Sequence, residues 1–240
     1  MTAPSTRVIG VLLDIDGTLL DSNDAHAQSW VEIFRRYGYD VPFERVRPLI
    51  GKGSDKLLPD LSGLDSEAGK GKQMTQERRQ LFLRDFLPKL CPTRGQRHLV
   101  ERLRDDGFRL VVATSSSGEE LDQLLRQAWV DDLIEKTTSS SDADSSKPDP
   151  DIIQAALKEG KLRPEEAVML GDTPYDIEAA GRAGVRTIAL RCGGWWDDAA
   201  LAGALAIYDD PAALLADIDR SPLAAGPKSG SSGEFVGRSG

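Results

Sequence analysis

The sequence predicts an α/β fold: a Rossmann-like parallel sheet covered by helices on both faces, with an all-helical cap domain inserted into it. Two observations carry this. Short aliphatic runs, each ending in polar residues, alternate with amphipathic helical stretches, the pattern of strands buried on both faces of a sheet. Between residues 21 and 91 the alternation stops and only helical periodicity remains. The expected division is 1–20 and 92–220 for the core, 21–91 for the cap and 221–240 for a disordered tail.

Taken in order, Val11-Leu12-Leu13 is a buried strand ending in Asp14-Ile15-Asp16-Gly17-Thr18. The cap opens with a helix over 25–37, where His26, Trp30, Ile33, Phe34 and Tyr37 fall at helical spacing. Further helices are expected near 43–50, 54–61 and 75–87, with 62–73, rich in Gly, Ser and Lys, as a mobile loop. The core resumes with a helix over 96–106 and a strand over 109–113 that ends in Thr114-Ser115. A helix over 119–128, a polar loop over 137–146 and a helix over 151–159 follow. The strand Ala167-Val168-Met169-Leu170 ends in Gly171-Asp172 and precedes a helix over 176–183. A strand over 186–190 and a short edge strand near 205–207 complete the sheet. The Gly-, Ser- and Pro-rich end is expected to be disordered.

The chain has 240 residues, 40% of them hydrophobic, enough for a core domain with a smaller insertion. A net charge of −9 argues against a nucleic-acid surface, which would show a basic patch. It does not exclude an anionic substrate, because a metal ion can reverse the field locally. Two cysteines, Cys91 and Cys192, suggest no disulfide framework and are expected as buried free thiols in a reducing compartment. Residues 1–7 lack a signal-peptide profile, and no apolar run approaches the roughly 20 residues that span a bilayer. The expectation is a cytoplasmic protein with no membrane partner.

Carboxylates at the end of a buried strand are costly unless something compensates them, and strand ends are where open α/β sheets bind ligands. Asp14 and Asp16 are therefore candidate site residues, against the alternative of an Asx turn closing the strand. Asp172 sits at a second strand tip. Asp176 suits either the third position of a helix capped by Thr173 and opened by Pro174, or a place in a metal site. Converging carboxylates repel one another without a cation, and hard oxygen donors without histidine point to magnesium rather than zinc. Lys147 is presented by the stiff segment Lys147-Pro148-Asp149-Pro150. Thr114 and Ser115, at a loop entering a helix, offer either an anion site or simple N-capping.

Asp14-Ile15-Asp16-Gly17-Thr18, Thr114, Lys147-Pro148 and Gly171-Asp172 with Asp176 follow the order of the four motifs of the haloacid dehalogenase-like superfamily, which the chain resembles from about residue 7 to 215. The helical insertion resembles its C1 cap. Asp21-Ser22 with His26, Ile50-Gly51-Lys52-Gly53 and Ser146-Lys147-Pro148 resemble its phosphoglycolate phosphatase and β-phosphoglucomutase branch. The resemblance implies a Mg²⁺-dependent phosphatase acting on a small phosphorylated metabolite. It makes Asp14 the nucleophile that forms an aspartyl-phosphate and Asp16 the general acid and base. The Asp16 carbonyl, with the Asp14 and Asp172 carboxylates, would hold magnesium, while Thr114, Ser115 and Lys147 would bind the phosphoryl oxygens. An acid at Asp16 favours phosphoryl transfer over dehalogenation, since a halide leaves without a proton. In the cap, Lys52 and Ser54, with Lys56, lie in a Gly-flanked loop that could close over the site. His26 is a further substrate candidate beside a packing role, and Trp195 and Trp196 could wall the pocket. A sugar-phosphate mutase or a non-catalytic binding protein on the same fold are the alternatives. Substrate and oligomeric state stay open.

Overall fold

A computed structural model describes residues 7–228. The elements, in chain order, are β1 (Gly10–Leu13), α1 (Asn23–Arg36), α2 (Phe43–Val46), α3 (Ser54–Ser62), α4 (Gly69–Leu81), α5 (Gln96–Asp105), β2 (Arg109–Ala113), α6 (Gly118–Gln127), β3 (Lys136–Thr138), α7 (Asp151–Gly160), β4 (Ala167–Gly171), α8 (Pro174–Arg182), β5 (Arg186–Leu190), β6 (Ala206–Tyr208) and α9 (Pro211–Ala216). Six strands form one parallel sheet in the order β3-β2-β1-β4-β5-β6. Successive side chains of a strand point to opposite faces, so Val11 and Leu13 enter one apolar cluster and Leu12 the other. Both faces are buried, as an all-parallel sheet requires.

The strand order reverses on either side of β1, with β2 and β3 to one side and β4, β5 and β6 to the other. Leu13 pairs with both Val112 and Leu170, so the carboxyl ends of β1, β2 and β4 finish level. A crevice opens where connections leave such a switch point in opposite directions, and ligands bind there. This register, fixed by aliphatic pairing, is what gathers Asp14, Thr114 and Asp172 at one edge.

The helical block over the crevice has its own apolar cluster, including Trp30, Phe34, Leu57, Leu58, Met74 and Leu81. Two chain segments join it to the sheet and pair with each other: the Asp21 amide donates to Cys91 O (3.0 Å) and the Thr93 amide to Leu19 O (3.0 Å). No helix among the described residues is long and apolar enough to cross a membrane.

Several expectations are corrected. The polar stretch 137–146 begins inside a strand, β3, with Lys136-Thr137-Thr138 paired to β2. An edge strand needs only backbone pairing on one side, and the Thr138 hydroxyl adds a bond to Val112 O (2.7 Å), so no aliphatic run marks it. The loop expected over 62–73 gives way to α4 from Gly69, continued by a π-helical turn over Phe82–Phe86. Gly71 lies so close to Asp65 that a Cβ there would come within 2.0 Å of its carbonyl oxygen, so the glycine serves packing. The tail is packed over 221–228: Leu223 is 3% exposed within the main cluster, and Arg7 Nε donates to Ala225 O (2.7 Å). The remainder of the expected disordered tail, 229–240, lies outside the described residues. Both cysteines are free, and neither is fully buried: Cys91 is exposed and Cys192 half-buried.

Candidate active site

The loop after β1 carries the first two carboxylates. The Asp14 amide donates to Leu170 O (3.0 Å), tying the tip of β1 to β4. The chain then turns back on itself, with Thr18, Leu19 and Leu20 amides all donating to Ile15 O. Gly17 has φ +78°, and a Cβ there would lie 2.1 Å from Asn23 Nδ2 and 2.3 Å from Asp172 Oδ2. Only glycine permits both that backbone and that approach.

Asp14, Asp172 and Asp176 are buried, and each offers a carboxylate oxygen within 4.8 Å of the others. Lys147, fully buried, places Nζ 2.6 Å from Asp14 Oδ1 and 2.7 Å from Asp176 Oδ1. Asp172 Oδ2 accepts from Asn23 Nδ2 (2.8 Å). Asp176 takes the capping role and also stands in the carboxylate cluster. Its Oδ2 accepts from the Thr173 amide (3.0 Å) and hydroxyl (2.7 Å) in a capping box, while its Oδ1 faces Lys147.

Burial pushes the Asp14 carboxyl up to about 7, with Asp176 and Asp16 adding repulsion and Lys147 opposing them. Burial, then Asp176 and Asp14, likewise raise Asp172 well above the usual carboxylate range. Desolvation alone would lower Lys147, but Asp14 and Asp176 outweigh it and raise it above an ordinary lysine. Three acids against one ammonium leave a surplus of negative charge in a dry place. Oxygen-only donors with that surplus fit a hard divalent cation such as Mg²⁺, which Asp14, Asp172 and Asp176 are placed to hold.

Asp16 faces a different environment. Its Oδ1 accepts from Ser22 Oγ (2.5 Å) and meets His26 Nε2 (2.8 Å), and its Oδ2 accepts from Ser116 Oγ (2.9 Å). Burial raises this carboxyl too, but His26 and the two serines outweigh burial and hold it well below the usual range. Behind His26 stands Arg78, whose Nη2 donates to His26 Nδ1. An acceptor at Nδ1 puts the ring proton on Nε2, aimed at Asp16. Arg78 also donates to Ser29 Oγ (3.0 Å) and to Glu120 Oε1 (2.9 Å). Desolvation lowers the Arg78 guanidinium from its ordinary value, although Glu120 counters it.

Of the remaining sequence-predicted residues, Thr114 is buried and its Oγ1 accepts from the Ser116 amide (3.1 Å). Ser115 Oγ donates to Gly51 O (3.2 Å), so the loop after β2 touches the loop before α3. Ser54 lines a cavity of about 410 Å³ together with Asp14, Asp16, His26 and Thr114. Lys52 also lines it, but its ammonium pairs with Asp60 (2.9 Å) and lies over the Tyr175 ring. Lys56 pairs with Asp149 (2.8 Å). Trp195 is outside the cavity lining and packs by its edge on Phe43, with Arg47 over its ring. Trp196 meets Tyr175 edge-on.

Sequence reasoning missed Asn23, Arg78, Ser116 and Glu120, and named Ser22 only within a motif. Two carried a signal. Arg78 falls between Met74 and Leu81 on the apolar stripe of α4, where a charge must have a buried partner. Ser117 and Glu120 have the spacing of a capping box, which the structure forms.

A parallel sheet whose level strand tips present buried carboxylates, an ammonium and hydroxyls, beneath a helical block, defines the class of α/β enzymes with a site at the switch point. Residues 11–190 match the family described as haloacid dehalogenase-like hydrolase, and the chain belongs to that family. The pyrophosphatase PpaX of Bacillus thuringiensis (strain Al Hakam) is 28% identical over 187 residues, 77% of this chain and 83% of that one. A hydrolase from Pseudomonas syringae superposes with a TM-score of 0.80 at 25% identity, covering 88% of this chain and 98% of that one. The β-phosphoglucomutase of Clostridium difficile shares the fold, with a TM-score of 0.78 at 14% identity over 90% of this chain and 97% of that one. The protein is a hydrolase of the phosphatase kind.

Proposed function

We propose that the protein is a Mg²⁺-dependent phosphatase that hydrolyses a small phosphorylated metabolite through an aspartyl-phosphate on Asp14. The observation that carries the reading is the contrast between two acids two residues apart. Asp14 meets Lys147 in the carboxylate cluster, whereas Asp16 is turned to Ser22, His26 and Ser116.

An Asp14 oxygen attacks phosphorus, the bond from phosphorus to the ester oxygen breaks, and Asp16 supplies the proton that the leaving oxygen takes up. A dianionic phosphate beside Asp16 raises its proton affinity, opposing the hydrogen bonds that favour its ionised form. In the second half-reaction the ionised Asp16 takes a proton from water, which attacks phosphorus and releases Asp14. Lys147 offsets charge on Asp14 and on the phosphoryl oxygens, and Thr114 and Ser115 provide donors for those oxygens. A bound Mg²⁺ at Asp14, Asp172 and Asp176, with the Asp16 carbonyl, supplies charge neutralisation for an anionic nucleophile meeting an anionic ester. Residues 21–91 act as the cap, closing on the core of 1–20 and 92–220 through the paired linkers. The enzyme works in the cytoplasm and needs neither a nucleic acid nor a membrane.

The test is hydrolysis of p-nitrophenyl phosphate, expected to require Mg²⁺ and to stop with a chelator. Full activity in a metal-free preparation overturns the reading. The His26–Asp16 contact favours a sugar-phosphate mutase as second reading, which a bisphosphate-primed mutase assay distinguishes.

A further inference from the structure

The charges lining the cavity bear on what lies beyond the phosphate. Among the described residues, its guanidinium and ammonium groups are those of Lys52, Arg78 and Arg79. Each already faces an acid: Lys52 meets Asp60 at 2.9 Å, Arg78 meets Glu120 at 2.9 Å and Arg79 meets Glu119 at 2.5 Å. Two lining carboxylates, Glu67 and Asp144, have no ion-pair partner among the described residues. The free charge on the wall is therefore negative. What the wall offers instead is hydroxyl groups, from Ser54, Ser140 and Ser141 and, already donating to Gly71 O and Glu120, from Thr75 and Ser117, with the buried Arg79 Nε–H, which has no hydrogen-bond acceptor and stands 4.0 Å from Glu120 Oε2.

We infer that this site takes monophosphates of uncharged, hydroxyl-bearing alcohols and rejects substrates with a second anionic group: pyrophosphate, bisphosphates and phosphorylated carboxylic acids. A polyol both donates and accepts, so it can satisfy serine and threonine hydroxyls and the orphan Arg79 Nε–H together. A second phosphate or a carboxylate would leave water for a wall whose cations are already neutralised, and would meet Glu67 and Asp144 besides. Like charges brought together repel, and the exposure of Glu67 and Asp144 to solvent moderates but does not remove the repulsion. The same balance disfavours the mutase, whose substrate must present a second phosphate to the wall while the first reacts.

The inference rests on the phosphatase reading, and the experiment separates the two. With Mg²⁺ present, kcat/KM is measured for p-nitrophenyl phosphate and for size-matched pairs: glycerol 1-phosphate against phosphoglycolate and pyrophosphate, and a hexose 6-phosphate against its 1,6-bisphosphate. The member without a second anionic group is expected to lead in each set by about 10–100-fold, the range of a misplaced charge. Glu119→Gln, which removes the nearer of Arg79's two acidic partners (Glu120 Oε2 remains 4.0 Å from its Nε), and Asp144→Lys, which adds an unpaired cation, should each narrow the gap by about 10-fold. Equal or better use of the doubly anionic substrates while p-nitrophenyl phosphate is hydrolysed overturns the inference alone, as does an unchanged gap in both variants. No turnover of p-nitrophenyl phosphate overturns the phosphatase reading, and the inference with it.

Discussion

Asp14 and Asp16 are separated by one residue, yet their surroundings push them apart chemically. Asp14 is raised to about 7 by burial and neighbouring acids, while hydrogen bonds from His26, Ser22 and Ser116 hold Asp16 low. The proposed roles need the reverse of these metal-free directions, an ionised Asp14 and a protonated Asp16, so they require a cation beside Asp14 and an anionic phosphate beside Asp16. Asp14→Asn is expected to lower turnover by about 10⁴-fold or more with circular dichroism unchanged, since no other group can take the phosphoryl. Asp16→Asn should slow turnover by about 10²–10⁴-fold while keeping the metal, because the carbonyl remains. Quenched-flow detection of phosphoenzyme separates them: none for Asp14→Asn, slow formation and slow decay for Asp16→Asn. Near-normal activity of Asp14→Asn would exclude the covalent route.

At the scale of elements, Asp16 is positioned by three helices. His26 comes from α1, Arg78 from α4 and Glu120 from α6, so two helices of the cap and one of the core meet behind Asp16. Glu120→Ala would strand a buried guanidinium, a change that costs about 3–5 kcal/mol when no new partner is found. Arg78→Ala frees His26 to change tautomer, and its effect on kcat/KM should be far from additive with His26→Ala, since both act on one proton position. An additive double-mutant cycle would mean that Arg78 only holds the helices together. How much of this was legible varies by element. Asp14, Asp172 and Lys147 stood out because charge at a strand tip or in a proline-stiffened loop has no packing purpose. Glu120 signalled a capping box and nothing more, because a glutamate early in a helix already has a purpose there. The strand β3 escaped for want of an aliphatic run, and the packed segment after Ser221 was hidden by Gly- and Pro-rich composition around one apolar anchor, Leu223. Leu223→Ala should cost about 2–5 kcal/mol in denaturant unfolding, and no cost would mean that the segment is dispensable.

At the scale of the molecule, the sheet gathers more negative charge than it neutralises, and this couples stability to pH and to metal. The folded protein holds Asp14 at about 7 against 3.8 for the ordinary group, and Asp172 also lies well above its ordinary value. Between roughly pH 4 and 7 the metal-free fold keeps protons that the unfolded chain has lost. The contribution of these groups to stability therefore falls as pH rises through that window, and below it both states are protonated and the term is constant. Mg²⁺ binds the ionised carboxylates and competes with their protons. The rise in Tm on adding Mg²⁺ should thus be small at pH 5.5 and large at pH 8. At a hundred times Kd, binding to the native state is worth about 2.7 kcal/mol, or about 5–10 °C for a chain of this size. Asp14→Asn and Asp172→Asn each remove a buried charge. Both should raise the metal-free Tm at pH 8 and shrink the Mg²⁺ effect there. Scanning calorimetry at the two pH values, with and without Mg²⁺, decides it. A Mg²⁺ shift equal at both, or undiminished in the two variants, would place the metal somewhere other than the strand tips.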